Sequence, residues 1–172
     1  MTSPIPILSV PDFFTPKNRQ ELIDIVIKNK SLEKSPNNIS FPIIEDPSKQ
    51  FAELYKKFYK LCDEYYTFTK SPESSEKVFA YCSDKEDYVA LWHNHMETST
   101  INAVYYLNIP GETSIDFQFN ESELTYNPIQ DELIIFPNYL EHKPNKCTGE
   151  GYRISINMEI MCEESPNEIF FP

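Results

Sequence analysis

Residues 134–157 decide the fold of this chain: Ile134-Ile135-Phe136-Pro137-Asn138-Tyr139-Leu140-Glu141-His142, then, eleven residues after His142, Arg153-Ile154-Ser155-Ile156-Asn157. The first run reads as a buried strand ending in a proline turn, which brings His142 to the rim of a barrel, where ligands converge. The second alternates along a strand. Arg153, Ser155 and Asn157 share one face, and Ile154, Ile156 and Met158 pack outward against helices on the other. An arginine inside an otherwise apolar and small-polar strand rarely lies exposed along its whole length. Arg153 is therefore expected to point inward rather than to form a surface salt bridge.

Upstream lies Trp92-His93-Asn94-His95, and with His142 these are all the histidines in the sequence. Two histidines at i and i+2 on a strand point to the same face. A third from a distant strand closes a metal site, and imidazole suits iron, zinc, copper and nickel. A metal held by His93, His95 and His142 beside a fixed guanidinium suggests a site that binds a metal and a carboxylate together.

The rest of the chain sets bounds. Its 172 residues suit one domain spanning 1–172, with 40% hydrophobic and 14% aromatic residues to build a core. The net charge of −12 speaks against nucleic-acid and anionic membrane partners. No apolar run approaches the roughly 20 residues of a membrane span, and the N-terminus lacks the pattern of a secretory signal. Cys62, Cys82, Cys147 and Cys162 are scattered and read as reduced thiols of a cytoplasmic protein. Three glycines, Gly111, Gly149 and Gly151, cannot write a phosphate-binding or dinucleotide fingerprint.

Local patterns give the order of elements. Residues 7–10 read as a short strand. Thr15-Pro16 and Asp46-Pro47 each read as a helix cap followed by proline at the first helical position. Leu22, Ile23, Val26 and Ile27 recur at helical spacing, and so do Phe51, Leu54, Tyr55, Phe58, Leu61, Cys62 and Tyr65. Residues 35–38 read as a loop. Strands are expected at 78–82, 88–92, 101–107, 114–119, 132–136 and 152–160, punctuated by Asp84-Lys85, Pro110-Gly111, Asn127-Pro128 and Gly149-Glu150-Gly151. Two helices followed by six short strands imply helices packed on a barrel or sandwich.

These pieces together resemble the 2-oxoglutarate- and Fe(II)-dependent oxygenases of the prolyl-hydroxylase-like type, in particular the small bacterial and phage subgroup. Val10-Pro11-Asp12-Phe13-Phe14-Thr15-Pro16 is similar to the family's opening strand and helix. His93-Asn94-His95 stands where the family has H-x-D or, in the small subgroup, H-x-H. Val104-Tyr105-Tyr106-Leu107-Asn108 resembles the strand that follows the first ligands. The run from Ile134 to His142, then Arg153-Ile154-Ser155, resembles the distal ligand and the co-substrate anchor. The resemblance implies a double-stranded β-helix (jelly-roll) core, mainly β with α, flanked by two N-terminal helices. It also implies Fe(II) as the metal and 2-oxoglutarate as co-substrate, with O₂ consumed and a substrate C–H bond hydroxylated as 2-oxoglutarate becomes succinate and CO₂. Arg153 is expected to hold the distal carboxylate of 2-oxoglutarate, with Ser155 adding a hydroxyl. The resemblance places the Tyr106 hydroxyl against the same carboxylate.

The family's usual metal set is two histidines and one carboxylate. Here two sets remain open: His93, His95 and His142, which matches H-x-H, or His95, Glu97 and His142. By alternation Trp92 and Tyr105 are expected in the core, away from the site. Residues 64–87 and a loop at 121–127 are expected to shape the pocket of a small-molecule or peptidyl substrate. Two rival readings exist. One is a cupin-like three-histidine dioxygenase or isomerase that does not use 2-oxoglutarate: Pro137 stands five residues before His142 as in the second cupin motif, but that motif's glycines and glutamate spacing are missing. The other is an inactive binding protein on the same fold.

Overall fold

The computed structural model describes residues 5–32, 40–42, 49–65, 77–87, 91–97 and 99–161. Its elements, in chain order, are β1 (Leu8–Val10), α1 (Arg19–Leu32), β2 (Ser40–Pro42), α2 (Lys49–Tyr65), β3 (Lys77–Ser83), β4 (Ile101–Asn108), β5 (Ile115–Phe119), β6 (Ser122–Tyr126), β7 (Leu133–Pro137), β8 (Glu141–Pro144) and β9 (Arg153–Ile160). They form two antiparallel sheets, one of six strands in the order β1-β7-β4-β9-β3-β2 and one of three in the order β6-β5-β8. The two sheets make up the jelly-roll core, with two helices preceding most of it.

Alternation along each central strand of the larger sheet sends one set of side chains to the helices and the other toward the smaller sheet. Ala80 and Cys82 of β3, Ala103 and Tyr105 of β4, Leu133 and Ile135 of β7, and Ile154, Ile156 and Met158 of β9 pack with Leu22 and Val26 of α1 and Phe51, Leu54, Phe58 and Cys62 of α2. Burying each of the larger aliphatic or aromatic groups contributes about 1.5–3 kcal/mol. On the opposite face Val104, Tyr106, Ile134 and Phe136 meet Ile115 and Phe117 of β5 and Leu140. Arg19 at the start of α1 ties the helix to the sheet, bonding the Leu107 carbonyl and pairing with Asp131 at 2.5 Å. Asp131 also accepts from the Tyr105 hydroxyl at 2.6 Å.

Several sequence expectations are corrected here. The first helix begins at Arg19, not at Pro16. Asn18 caps it, its Oδ1 accepting from the Glu21 amide at 3.3 Å. Leu91 and Trp92 are not in a strand, and Trp92 is 39% exposed rather than core, with the Lys143 ammonium 5.2 Å from its ring centre. Tyr105 is buried among the helix-facing residues as expected. The expected loop at 121–127 is largely β6, paired with β5, and none of its residues lines the site cavity. The weak strands β2 and β8 were also invisible to pattern reading. The expectations for Asp46-Pro47, residues 35–38 and 88–90, and Cys162 lie outside the described residues. Cys62, Cys82 and Cys147 are free thiols. Among the described residues no helix is long and apolar enough to cross a membrane.

Candidate metal and carboxylate site

His93 and His142 face each other across an isolated antiparallel bridge. The His93 amide donates to the His142 carbonyl at 3.1 Å and the His142 amide to the His93 carbonyl at 2.9 Å. Residues exchanging both bonds in this way carry their side chains on the same side. The following residues are pinned by main-chain bonds: the His95 amide donates to the Asn138 carbonyl at 2.9 Å and the Ser99 amide to the His95 carbonyl at 3.1 Å. Asn138, in the turn after β7, donates its side-chain amide to the Ser99 carbonyl at 2.8 Å. The proline turn at Pro137 therefore positions both halves of the histidine group.

The ligand atoms offered by His93, His95 and His142 all lie within 4.8 Å of one another. Each imidazole has its Nδ1 beside an oxygen that can only accept. His93 Nδ1 is 2.7 Å from the Leu91 carbonyl, His142 Nδ1 is 3.1 Å from the Leu140 carbonyl, and His95 Nδ1 is 3.2 Å from Glu159 Oε1. The two carbonyls place the hydrogen of the neutral His93 and His142 rings on Nδ1 and leave a lone pair on each Nε2, and the Glu159 carboxylate beside His95 Nδ1 favours the same tautomer there. His95 Nε2 and His142 Nε2 stand 3.4 Å apart. Two nitrogens each about 2.0–2.1 Å from one ion would be roughly 2.9–3.4 Å apart. The donor set thus fits a single transition-metal ion, imidazole being a common ligand for iron. Burial, reinforced by the other two histidines, pushes the His142 pKa down to about 3, so this ring is neutral and able to ligate at ordinary pH. Burial also lowers the His93 pKa, against the opposing effect of its bond to the Leu91 carbonyl. Glu97 is exposed and does not join the group, so the geometry favours the three-histidine set over the one containing Glu97.

A cavity of about 90 Å³ joins the histidines to Arg153. Its walls include Tyr81 of β3, Asn102, Val104 and Tyr106 of β4, Ile115 of β5, and Arg153, Ser155, Asn157 and Glu159 of β9. The inward series expected for β9 holds and extends one step further, to Glu159. Arg153 is 2% exposed. It donates to the Asn145 carbonyl at 2.7 Å and lies with its guanidinium 5.2 Å from the Tyr81 ring centre. Its Nε is buried with no hydrogen-bond partner, and among the described residues no carboxylate lies within ion-pair distance. Ser155 and Tyr106 are cross-strand partners beside it, and the β4 register shifts just beyond Tyr106. Burial raises the Tyr106 pKa well above the usual phenol range, keeping the hydroxyl protonated and able to donate.

Two groups in this cavity were not among the expected site residues, although alternation along β4 puts Asn102 on the face of Tyr106. Asn102 is buried, its Oδ1 accepting from the Ser99 hydroxyl at 2.6 Å while its Nδ2 has no partner among the described residues. Glu159 is buried against His95. The signal for Glu159 was the same alternation that placed Arg153, carried six residues along β9.

No family model matches this chain, and no curated protein matches it in sequence. Its fold matches solved structures. A prolyl hydroxylase from Trichoplax adhaerens, in complex with a hypoxia inducible factor oxygen degradation domain peptide fragment, aligns over 92% of this chain and 84% of its own at 16% identity and a TM-score of 0.67. The viral collagen prolyl hydroxylase of Paramecium Bursaria Chlorella virus-1, in a 2-oxoglutarate complex, aligns over 90% and 95% at 16% identity and a TM-score of 0.64. HygX from Streptomyces hygroscopicus, with nickel and 2-oxoglutarate bound, aligns over 91% and 82% at 10% identity and a TM-score of 0.65. At these identities the likeness is one of fold.

Proposed function

We propose that this chain is an Fe(II)- and 2-oxoglutarate-dependent oxygenase. In this reading His93, His95 and His142 hold the iron, and Arg153, with Ser155 and Tyr106, holds the far carboxylate of 2-oxoglutarate. The observation that carries it is Arg153: a buried guanidinium with no carboxylate within ion-pair distance among the described residues, in the same small cavity as three converging imidazoles. A buried cation left unpaired costs several kcal/mol. A dicarboxylic 2-oxo acid offers one carboxylate for that cation and a chelating end for a metal.

When bound, the iron would supply the oxidative chemistry by which one O₂ hydroxylates a C–H bond of a small-molecule or peptidyl substrate with one oxygen atom and converts 2-oxoglutarate to succinate and CO₂ with the other. The chain's own residues bind, orient and exclude water. Arg153 forms a charge-assisted fork on the carboxylate, and the fixed Tyr106 hydroxyl donates beside it. The apolar walls from Val104, Ile115 and Phe136 keep water from the histidines. The fold shared with prolyl hydroxylases, one solved with a peptide and one with 2-oxoglutarate, supports the reading.

Three neutral ligands favour one other reading, a cupin-like metal dioxygenase or isomerase without 2-oxoglutarate. Anaerobic addition of 2-oxoglutarate to the Fe(II) protein separates the two. Under the proposed function it changes the visible spectrum, and admission of O₂ then yields succinate. An unchanged spectrum together with no succinate would sink the oxygenase assignment.

A further inference from the structure

We propose that Glu159 is the positioning residue of the histidine centre, fixing His95 through its Nδ1–H and supplying the negative charge that three imidazoles lack. This rests on the metal-binding reading above and adds to it a residue outside the ligand set.

The three histidines are not equivalent. His93 and His142 donate their Nδ1–H to main-chain carbonyls, which are neutral, whereas the Nδ1 of His95 lies 3.2 Å from a carboxylate oxygen. Glu159 is 4% exposed and lies on the cavity face of β9, opposite Asn102 across the β4–β9 ladder. On its other side its register partner is Lys77 of β3, and its ion-pair contact among the described side chains is His95. A buried carboxylate is costly unless it has a partner of this kind.

The consequence for a bound ion follows from charge. Three neutral imidazoles leave a divalent ion's charge uncompensated. A carboxylate hydrogen-bonded to the far nitrogen of one ligand makes that imidazole a stronger donor, fixes its tautomer and lowers the net charge of the assembly by one. The anion sits one residue removed from the metal, so it stabilises the ion without occupying a coordination position.

The test compares wild type, Glu159→Gln and Glu159→Ala, with His142→Ala as the metal-dead reference. Gln keeps an oxygen that accepts from Nδ1–H but removes the charge; Ala removes both. Anaerobic Fe(II) titration and the midpoint potential of the bound iron are read alongside the ¹⁵N shifts of the His95 ring in the metal-free protein. Glu159→Gln is expected to weaken Fe(II) binding by about 10–100-fold and to raise the potential while His95 keeps its Nδ1–H tautomer. Glu159→Ala is expected to weaken binding further and to let the tautomer mix. Unchanged affinity and potential in Glu159→Gln would overturn the inference. So would a wild-type His95 ring protonated on Nε2, a measurement that needs no variant to fold. Wild-type protein that takes up no iron, behaving like His142→Ala, would instead overturn the metal reading itself and the inference with it.

Discussion

The two faces of β9 obey opposite rules. Toward the helices, Ile154, Ile156, Met158 and Ile160 form part of a closed apolar core. Toward the smaller sheet, Arg153, Ser155, Asn157 and Glu159 line a cavity in which an arginine nitrogen and the Asn102 amide are buried with no hydrogen-bond partner among the described residues. The first face stabilises the fold; the second leaves polar groups buried at a cost in stability, a cost that the proposed ligand would offset.

The comparison breaks most completely at the histidines. His142→Ala and His95→Ala are each expected to abolish stoichiometric iron binding by metal analysis. One iron per chain retained in His95→Ala would defeat both ligand sets drawn from the sequence. Loss of iron in His93→Ala but not in Glu97→Ala would select the three-histidine set.

Acid should act next. The native His142 pKa lies near 3, below its ordinary value of 6.5. Between those values the unfolded chain binds a proton that the folded chain refuses, so stability is full above about pH 6.5 and falls toward pH 3. The loss is on the order of a few kcal/mol. Urea unfolding of metal-free protein across this range should show a steeper slope for wild type than for His142→Asn; equal slopes would remove His142 from the account.

On the apolar face, Ile156→Ala is expected to cost about 2–5 kcal/mol of stability through the cavity it leaves. Denaturant titration checks it, and a loss under 1 kcal/mol would mean the helix layer is loosely packed. On the cavity face, Arg153→Ala is expected to weaken 2-oxoglutarate binding by about 2–4 kcal/mol. Arg153→Lys should retain part of that affinity, because it keeps the charge and loses the fork. Iron binding should survive in both, and calorimetry decides. The smallest effect is the sharpest contrast. Arg153→Met removes a buried charge with no carboxylate partner among the described residues and should raise the stability of the ligand-free protein by about 1 kcal/mol, while weakening 2-oxoglutarate binding as much as Arg153→Ala does. A destabilised Arg153→Met would mean that the Asn145 carbonyl contact already satisfies the guanidinium.

The sequence by itself determined the period-2 and helical patterns, and hence the alternation that sends Arg153 and Ser155 one way and Ile154 and Ile156 the other. Those patterns are local, so β3, β4, β5, β7 and β9 and the apolar stripe of α2 were legible to within a residue or two. The weak elements were not. β6, Ser122–Tyr126, is largely exposed and polar, and it is a strand because β5 pairs with it. Trp92 looked like core by alternation, but the chain there is not in a regular strand, so alternation has no hold on it. Only the tertiary structure decided which atoms meet. The bridge between His93 and His142 joins residues far apart in the chain, and the approach of Glu159 to His95 depends on the register of β9 against β4. Local propensity records neither, because both are long-range pairings fixed by sheet hydrogen bonds and by the turn at Pro137.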